Sequence, residues 1–426
     1  MKDFAVVGKS PIKKDALEKV TGKALFAADI EMEDMLYAAV KRSDVASAYI
    51  KRIDTSKAEA LDGVECVLTA KDIPGGNRVG IIIKDEPVLV DDKVRRIGDA
   101  IALVAARTRE IAEEAVNLIE VEYEEIEPIF TIEDALREDS PKIHGNSNIL
   151  QKKQLIYGDV EEAFKKCDVI VENTYETPYL AHMFIEPDAG VAKYENGVMT
   201  IWSSTQNPHF DRGEVARMLN MPQNRVRAVQ AVTGGGFGGK LDISVQCHVA
   251  LLSYYTKKPV KMIRKREESM LVSSKRHPMK MRFKTGATKD GKLLATDVEI
   301  FSDTGAYASY GPAVLTRALV HCTGPYEIPN VRAVATFVYT NNPMAGAFRG
   351  FGVPQVAVAH EAQMDALAKE LGMDRIEIRR INAQKVGSVI ATGQELTNSV
   401  GITTTIDAAL EKSMELGMIN RGGELK

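Results

Sequence analysis

The sequence has few cysteines, and their spacing excludes the common thiolate sites. Its 426 residues include four cysteines, and no two of them form a Cys-x-x-Cys pair. Structural zinc sites and iron–sulfur clusters usually draw on such closely spaced cysteines, so neither is predicted within this chain. We expect Cys66, Cys167, Cys247 and Cys322 to serve as small buried hydrophobic residues.

Aromatic residues and positive charge are also scarce. Phe, Trp and Tyr make up 6% of the chain, and the formal net charge is −4. Nucleic-acid-binding proteins need basic surfaces and often stack bases on aromatic rings, so this class is excluded. No apolar run approaches the roughly 20 residues that a membrane helix needs, and the N-terminus lacks a signal-peptide pattern. We therefore expect a cytoplasmic protein without membrane contact.

The length predicts more than one domain, because single cores rarely grow beyond about 250–300 residues. Residues 1–20 are expected to form an extended arm. Strand-like runs and a helix capped by Thr108 predict an α+β domain over 21–130. Residues 131–148, which contain a proline and the stretch HGNSN, are expected to be a linker to a larger region over 149–426.

This larger region repeats one pattern three times, a strand followed by a turn and then a helix. The turns are SSTQN (203–207), GGGFGGK (234–240) and GAFRGFG (346–352). Asn207 and Pro208 form a helix start after the first turn, and Pro354 opens a helix after the third. Each turn presents unpaired backbone N–H groups, so each is a candidate anion site.

The glycine-rich turn allows three interpretations. Gly234, Gly239 and Lys240 match the P-loop pattern, but Leu241 stands where that pattern needs a hydroxyl for Mg²⁺. Glycine runs also serve tight turns without any ligand. The third interpretation is a flat organic cofactor, because Phe237 would obstruct phosphates yet could wall a ring system.

The other two turns are ambiguous on their own. Arg349 offers a planar fork for an oxyanion, and Phe348 and Phe351 on either side could face an aromatic substrate. The alternative is a solvated arginine beside two core rings. Gln206 offers an amide donor to a metal-bound oxygen, although a polar residue at a strand end is usually a simple cap.

His182 and Glu186 stand four residues apart, which is a spacing seen in helical metal sites. Further ligands are not evident near them, and Pro187 disfavours a continuing helix. Metal binding by this pair is therefore not expected.

The combination of motifs resembles a known family. STQN, GGGFGGK, RALVH and AFRGFGVPQ occur in this order, after an N-terminal stretch DALEKVTGKALFAADI. Together they are similar to the molybdopterin-binding subunit of the xanthine dehydrogenase/aldehyde oxidase family of molybdenum hydroxylases. The resemblance implies an α+β fold with an α/β hammerhead domain over 21–130 and the first half of a molybdopterin-binding domain over 149–426. It makes the glycine turn a molybdopterin cradle.

The resemblance also implies roles for individual residues. Gln206 is similar to a catalytic glutamine that hydrogen-bonds an oxo ligand of molybdenum, and the metal is held through the pterin rather than by protein ligands. The residues expected to contact the cofactor are Gln206, Gly236, Phe237, Gly238, Gly239, Phe348, Arg349 and Gly350. The residues expected to contact the substrate are Phe351, Arg317 and Leu241.

Three departures from the family pattern refine this expectation. Leu241 stands where xanthine-oxidising members have a glutamate, which disfavours xanthine. Gly350 stands where carbon monoxide dehydrogenases have a cysteine, which disfavours that chemistry. The chain is also about half the usual length, and it lacks the Gly–Glu–Pro motif that carries the family's catalytic glutamate.

The short length has two explanations, a truncated chain or a molybdopterin subunit that is split into two polypeptides. A split occurs in the nicotinate dehydrogenases of anaerobic bacteria, whose large molybdopterin subunit this chain resembles in size and end point. The expected reaction is hydroxylation of an N-heteroaromatic carbon with water as oxygen source, with nicotinate converted to 6-hydroxynicotinate as the first hypothesis. Alternatives are an aldehyde or purine hydroxylase subunit and a non-catalytic molybdopterin carrier.

The resemblance finally implies cofactors and partners. The cofactor is expected to be molybdopterin in its cytosine dinucleotide form, with a sulfido or selenido ligand on molybdenum. A second molybdopterin subunit would supply the catalytic glutamate. An iron–sulfur subunit with 2Fe-2S clusters and an FAD subunit would carry the electrons away.

Overall fold

A computed structural model describes residues 4–418. The helices are α1 (Ala16–Val20), α2 (Ser56–Glu59), α3 (Arg109–Leu118), α4 (Ile132–Leu136), α5 (Val160–Phe164), α6 (Pro208–Met218), α7 (Gln246–Thr256), α8 (Arg266–Val272), α9 (Gly311–His321), α10 (Val353–Leu371), α11 (Arg375–Asn382) and α12 (Ile402–Glu415). The strands are β1 (Leu36–Arg42), β2 (Ala48–Asp54), β3 (Val64–Thr69), β4 (Arg78–Val79), β5 (Glu86–Pro87), β6 (Lys93–Val94), β7 (Ala100–Ala106), β8 (Glu120–Glu125), β9 (Ile149–Tyr157), β10 (Val169–Thr177), β11 (Ala189–Glu195), β12 (Val198–Ser203), β13 (Val226–Gln230), β14 (Val260–Ile263), β15 (Met279–Ala287), β16 (Leu293–Asp303) and β17 (Val331–Val338). The predicted α+β class is confirmed.

A seven-stranded sheet joins the two regions that the sequence separates. Its strand order is β13-β12-β11-β14-β1-β7-β3. β1 of the first region pairs in parallel with β14 of the second, with Leu36 opposite Val260. The two regions therefore share one continuous sheet, and helices α6 and α7 cover the core beneath its second half.

A second sheet of five strands carries the other large core. Its order is β10-β15-β16-β17-β9. Phe283, Ile300 and Phe337 point from the sheet toward α9 and α10 and are fully buried there. The period-2 alternation of such long strands places their apolar residues on one face, where the helices cover them.

The first region contains the elements that its sequence predicts. Thr108 caps α3, because its hydroxyl oxygen accepts a hydrogen bond from the Ile111 N–H at 3.3 Å. Ala112 and Ala115 of this helix are buried against β7, whose residues are almost all buried. The strand that follows α3 is β8, which pairs with β2.

Two connecting stretches differ from their predictions. The expected extended arm contains α1, one short helix without a buried residue. The stretch predicted to be a linker, 131–148, is packed instead, since it contains α4 and buries Ile132, Ala135 and Ile143 against Tyr339. Lys93 and Arg95 of the first region also donate hydrogen bonds to the Lys142 and Ile143 carbonyls, at 2.8 and 3.0 Å. Residues 1–3 of the arm and 419–426 of the last region lie outside the described residues.

All four cysteines are unpaired by disulfides. Cys247 and Cys322 are buried as predicted, whereas Cys66 and Cys167 are only half-buried. In the described part of the chain, no helix combines the length and apolar character needed to cross a membrane.

The three strand–turn–helix units are present. β12 leads into α6, with Asn207 at the N-cap and Pro208 in the first turn. β17 leads into α10, again with a proline in the first turn. The middle unit differs in detail, because α7 starts only at Gln246, seven residues after Gly239. The glycine turn is thus a loop of its own rather than the direct start of a helix.

Candidate cofactor site

The loop of residues 234–239, here called the glycine loop, is joined to the first turn through Gln206. The amide oxygen Oε1 of Gln206 accepts hydrogen bonds from the N–H of Gly238 at 2.9 Å and from that of Lys240 at 3.3 Å. The backbone N–H of Gln206 donates to the Lys240 carbonyl at 2.9 Å. Gln206 is exposed, and its amide nitrogen has no hydrogen-bond partner within residues 4–418, so it remains able to donate to a ligand.

Close packing explains why glycines occupy this loop. A Cβ on Gly238 would lie 2.5 Å from the Ala347 carbonyl oxygen, and its φ of +105° is strained for other residues. A Cβ on Gly239 would lie 2.9 Å from the ring of His182, and one on Gly236 would collide with the Gln206 amide. The glycines let three separate segments approach the same loop.

Lys240 does not point toward a ligand as a P-loop lysine does. Its side chain is fully buried, and its ammonium donates to Glu186 Oε2 at 2.8 Å, to the Glu186 carbonyl at 2.9 Å and to Ser204 Oγ at 2.6 Å. The ammonium also lies 4.6 Å from the Phe184 ring centre. All three donors are engaged inside the protein, which rules out the triphosphate-loop interpretation.

Glu186 is therefore an anchor of the glycine loop. Its Oε2 also accepts hydrogen bonds from the Gly234 N–H at 2.6 Å and from Ser204 Oγ at 2.7 Å. The segment around His182 and Glu186 is not helical, in agreement with the expectation from Pro187. Across residues 4–418, no three His, Cys, Asp or Glu side chains are grouped so that they could hold a metal ion.

The loop of residues 346–352, here called the arginine loop, lies against the glycine loop. The Arg349 N–H donates to the Phe237 carbonyl at 2.9 Å. The Phe348 ring is stacked on His182 at 4.1 Å, and the guanidinium of Arg276 covers it at 3.8 Å. Phe348 consequently offers neither face to a substrate, which agrees with the alternative of a core ring.

His182 links the two loops. Its Nε2–H donates to the Ala347 carbonyl at 2.8 Å, while its ring lies beside Gly239. Burial lowers the pKa of His182 to about 4, so the imidazole is neutral near pH 7. A neutral ring has one N–H, and the carbonyl contact assigns it to Nε2.

The exposed side of the arginine loop carries Arg349 and Phe351. The Arg349 side chain is exposed and has no hydrogen-bond or ion-pair partner in the described chain, while its carbonyl accepts from Arg276 Nη2 at 3.0 Å. Gly350 and Phe351 both have positive φ, +92° and +57°. Phe351 is half-buried and meets the edge of Tyr310 at 5.5 Å with rings 73° apart. The sequence does not predict the contact of Tyr310 with Phe351, since the only local signal at Tyr310 is its place before a helix.

The two remaining predicted substrate residues lie at different distances from these loops. Leu241 is half-buried and directly adjoins the glycine loop, where its N–H donates to the Gly238 carbonyl at 3.2 Å. Arg317 lies outside both loops, at an exposed position of α9. α9 approaches the arginine loop closely, since a Cβ on Gly352 would lie 3.2 Å from the Ala318 nitrogen. Tyr310 is the N-cap residue of α9, and Arg317 lies about two helical turns further along the chain.

Several donors around the two loops have no partner among residues 4–418. They are the backbone N–H groups of Gly235, Gly236 and Phe237, the amide nitrogen of Gln206 and the guanidinium of Arg349. Such a set of backbone and guanidinium donors suits a ligand that is rich in oxyanions or other acceptors. The donor set thus fits a phosphate-bearing organic cofactor.

Comparison with protein families gives two matches. Residues 143–383 match the molybdopterin cofactor-binding domain, and residues 21–127 match the a/b hammerhead domain of aldehyde oxidase and xanthine dehydrogenase. The two matched ranges lie in the order that the sequence motifs predict.

Individual relatives agree with these matches. The chain is 66% identical to the nicotinate dehydrogenase large molybdopterin subunit of Eubacterium barkeri, over 97% of this chain and 98% of that one. It is 34% identical to the xanthine dehydrogenase molybdenum-binding subunit of Escherichia coli O157:H7, over 88% of this chain and 52% of the relative. Among solved structures, the aldehyde oxidoreductase of Desulfovibrio gigas is similar, with a TM-score of 0.90, 33% identity and coverage of 94% of this chain and 47% of that one. The chain therefore spans about half the length of the last two.

Proposed function

Because the chain belongs to the aldehyde oxidase and xanthine dehydrogenase family of molybdenum hydroxylases, we propose that it is the molybdopterin-binding subunit of a multisubunit hydroxylase. The proposed substrate is an N-heteroaromatic acid, and nicotinate converted to 6-hydroxynicotinate is the first choice. In this reaction a ring C–H and water give C–OH, two protons and two electrons. The 66% identity to a subunit named for nicotinate dehydrogenase supports the substrate.

The observation that carries the proposal is the meeting of the three turns at one place. The N–H of Gly238 is hydrogen-bonded to the Gln206 side chain, and that of Arg349 to the Phe237 carbonyl. Donors without partners in the described chain lie on all three segments. A single acceptor-rich ligand placed among them would satisfy donors that otherwise depend on solvent.

Molybdopterin, when bound, supplies the metal centre that accepts two electrons from the substrate. The N–H groups of Gly235, Gly236 and Phe237 would hold the cofactor, with Gly238 and Gly239 allowing close approach. Arg349, next to Gly350, would bind an oxyanion of the cofactor. Phe348 would support this loop from within, through its contacts with His182 and Arg276.

The substrate side would be formed by other groups. The half-buried rings of Phe351 and Tyr310 would receive a flat aromatic substrate. Arg317, two turns along α9 from Tyr310, would attract a carboxylate. Leu241 would not form the hydrogen bonds that a glutamate at this position makes to a purine. Loss of such buried polar contacts strongly disfavours a substrate that depends on them.

The remaining chemistry is proposed to come from partners. The catalytic glutamate would lie on a second molybdopterin subunit, and the 2Fe-2S clusters and FAD on two further subunits. The cytosine dinucleotide form of the pterin, a sulfido or selenido ligand on molybdenum, and a cytoplasmic location complete the proposal. The word "large" in the name of the Eubacterium relative supports more than one molybdopterin subunit in that enzyme.

Purification of the native complex tests this proposal. We expect the chain to co-purify with flavin- and iron-containing subunits, to contain molybdenum by elemental analysis, and to oxidise nicotinate. Selenium analysis distinguishes the selenido from the sulfido form. Preferential oxidation of xanthine or an aldehyde would contradict the substrate, and a monomer that only transfers molybdopterin would contradict the enzyme.

Replacement of Gln206 tests the role of the first turn. Gln206→Ala is expected to leave molybdenum content normal and to lower kcat by the order of 10²-fold, as for loss of one positioned donor. Gln230→Ala is the matched control, because its amide nitrogen donates instead to the Thr205 carbonyl at 2.7 Å. Unchanged turnover with normal molybdenum would remove Gln206 from the catalytic residues.

A further inference from the structure

Three consecutive residues in the segment between β16 and α9 each contact a carboxylate from another part of the chain. Tyr307 is fully buried, and its hydroxyl donates to Asp99 Oδ2 at 2.8 Å. Asp99 belongs to the first region of the chain, where it also accepts from the Arg95 N–H at 2.8 Å and pairs with Arg96 at 3.3 Å. The Arg96 guanidinium lies 5.5 Å from the Tyr307 ring centre.

The next residue is held by a second carboxylate from the first region. The Ala308 N–H donates to Asp85 Oδ2 at 2.9 Å. The same oxygen accepts the hydroxyl of Tyr339 at 2.9 Å, from the end of β17. Asp85 therefore joins the first region to two parts of the second, this segment and the residue after β17.

The third residue is held by a carboxylate next to the glycine loop. Ser309 Oγ lies 2.9 Å from both carboxylate oxygens of Asp242, two residues after Lys240. Ser309 has a φ of +40°, which is a left-handed conformation that non-glycine residues rarely adopt. Such strain persists only where the surroundings over-determine the backbone. Contacts from three consecutive residues to carboxylates provide that constraint here.

The residue that follows is Tyr310, whose ring meets Phe351. We infer that Asp85, Asp99 and Asp242 are positioning residues, which fix the backbone of 307–309 and thereby the orientation of Tyr310 against Phe351. The first region would then help to shape the substrate side of a site whose cofactor donors all lie in the second. This inference rests on the proposed function, because it takes Phe351 as a substrate contact.

The cost of burying these groups supports a positioning role. Burial raises the pKa of Asp85 to about 6 and that of Asp242 to about 6. Apolar side chains would fill the same space without this penalty, but they would not direct a backbone N–H or a hydroxyl. Directional contacts are what a strained segment beside a substrate site requires.

Tyr307→Phe in the assembled complex is the principal test. It removes one hydroxyl and leaves Asp99 with its contacts to Arg95 and Arg96. Because a buried hydrogen bond is worth about 0.5–1.5 kcal/mol, we expect KM for nicotinate to rise up to about 10-fold, with kcat and molybdenum content nearly unchanged. Tyr339→Phe is the matched control, since it removes a hydroxyl from Asp85 but keeps the Ala308 contact. Its KM should stay within about twofold of the wild type.

Amide hydrogen exchange gives a readout that does not depend on turnover. Peptides covering 305–310 should exchange faster in Tyr307→Phe and in Asp85→Leu than in the wild type. Asp85→Asn should restore both slow exchange and low KM, because its amide oxygen still accepts from Ala308. Unchanged exchange, or faster exchange with unchanged KM, would overturn the inference. A wild-type complex that oxidises no N-heteroaromatic acid would instead overturn the proposed function, and with it the substrate role of the segment.

Discussion

The glycine loop and the arginine loop lie side by side, but different interactions hold them. The glycine loop is fixed by polar contacts, chiefly the buried Lys240–Glu186 ion pair and the amide oxygen of the exposed Gln206. The arginine loop is fixed by a stack, in which the Phe348 ring lies between His182 and Arg276. One backbone hydrogen bond, from Arg349 to Phe237, joins them directly.

The difference predicts how much stability is lost when a contact of each loop is removed. A buried ion pair is strongly destabilising when one partner is removed, because the other charge stays buried and unpaired. Loss of one ring from the stack costs a smaller amount, since no ion pair is broken and neighbouring side chains can adjust. Single substitutions should therefore destabilise the protein more in the contacts of the glycine loop than in those of the arginine loop.

Removal of the Lys240 charge should give the largest effect. Lys240→Met keeps most of the side-chain volume but leaves the Glu186 carboxylate without its cation. We expect the free energy of unfolding to fall by about 3–5 kcal/mol, measured by urea denaturation. The double variant Lys240→Met/Glu186→Gln removes both charges and should recover part of the loss. A single variant that loses less than about 1 kcal/mol would show that the ion pair does not hold the loop.

A methyl group between the two loops should have the next largest effect. Gly238→Ala would place a Cβ 2.5 Å from the Ala347 carbonyl oxygen at a φ of +105°. Strain and the forced separation of the loops are expected to cost about 2–3 kcal/mol of unfolding free energy. Gly393→Ala is the control, because φ is +81° there and nothing lies within 4 Å. It should cost only the backbone term of about 1–2 kcal/mol. Equal losses in the two variants would mean that the loops are not closely packed at Gly238.

The sequence predicts where these loops lie better than what holds them. Local signals are sufficient for the helices after the first and third turns, since Asn207 and Pro208 start α6 and Pro354 lies in the first turn of α10. The partner of Lys240 is not predictable, because Glu186 is 54 residues away and its spacing from His182 suggests a metal pair. Non-local contacts of this kind depend on the folded sheet rather than on sequence neighbours.

Other features that the sequence does not predict also depend on non-local contacts. The pairing of β1 with β14 brings Leu36 to Val260, and no local pattern indicates that the two regions share a sheet. The sequence leaves open whether Phe348 faces a ligand or is a core ring, because His182 and Arg276, which cover it, come from distant segments. The packed stretch 131–148 has the pattern of a linker because its few apolar residues are spaced among polar ones.

A change at His182 should weaken the arginine loop moderately and in a pH-dependent way. His182→Gln keeps a side-chain N–H but loses the ring stack, which is worth about 0.5–1.5 kcal/mol near pH 7.5. The pKa of the buried ring is lowered to about 4, so the unfolded wild type binds a proton below pH 6.5 that the folded form does not. Protonation of His182 in the unfolded wild type therefore costs up to about 1.4 kcal/mol of stability per pH unit as the pH falls from 6.5 toward 4, and the variant lacks this one contribution.

Urea denaturation at pH 7.5 and at pH 5.5 checks this sign. The variant should be the less stable protein at the higher pH and should approach or exceed the wild type at the lower one. His209→Gln, at an exposed position of α6, is the control and should change stability little at either pH. A stability difference for His182→Gln that grows on acidification would contradict a buried, neutral ring.

The smallest effect on stability should come from Arg317, which belongs to neither loop. Its side chain is exposed on α9 and has no hydrogen-bond or ion-pair partner within residues 4–418, so Arg317→Ala should change the free energy of unfolding by less than about 0.5 kcal/mol. If it attracts the substrate carboxylate, loss of one charge-assisted contact of about 1.5–3 kcal/mol should raise KM for nicotinate by about 10-fold or more. KM for an uncharged analogue such as nicotinamide should change little, and this pair of substrates separates charge recognition from a general disturbance. Equal changes in both KM values would place Arg317 outside the substrate site and leave the recognition of the carboxylate to another subunit.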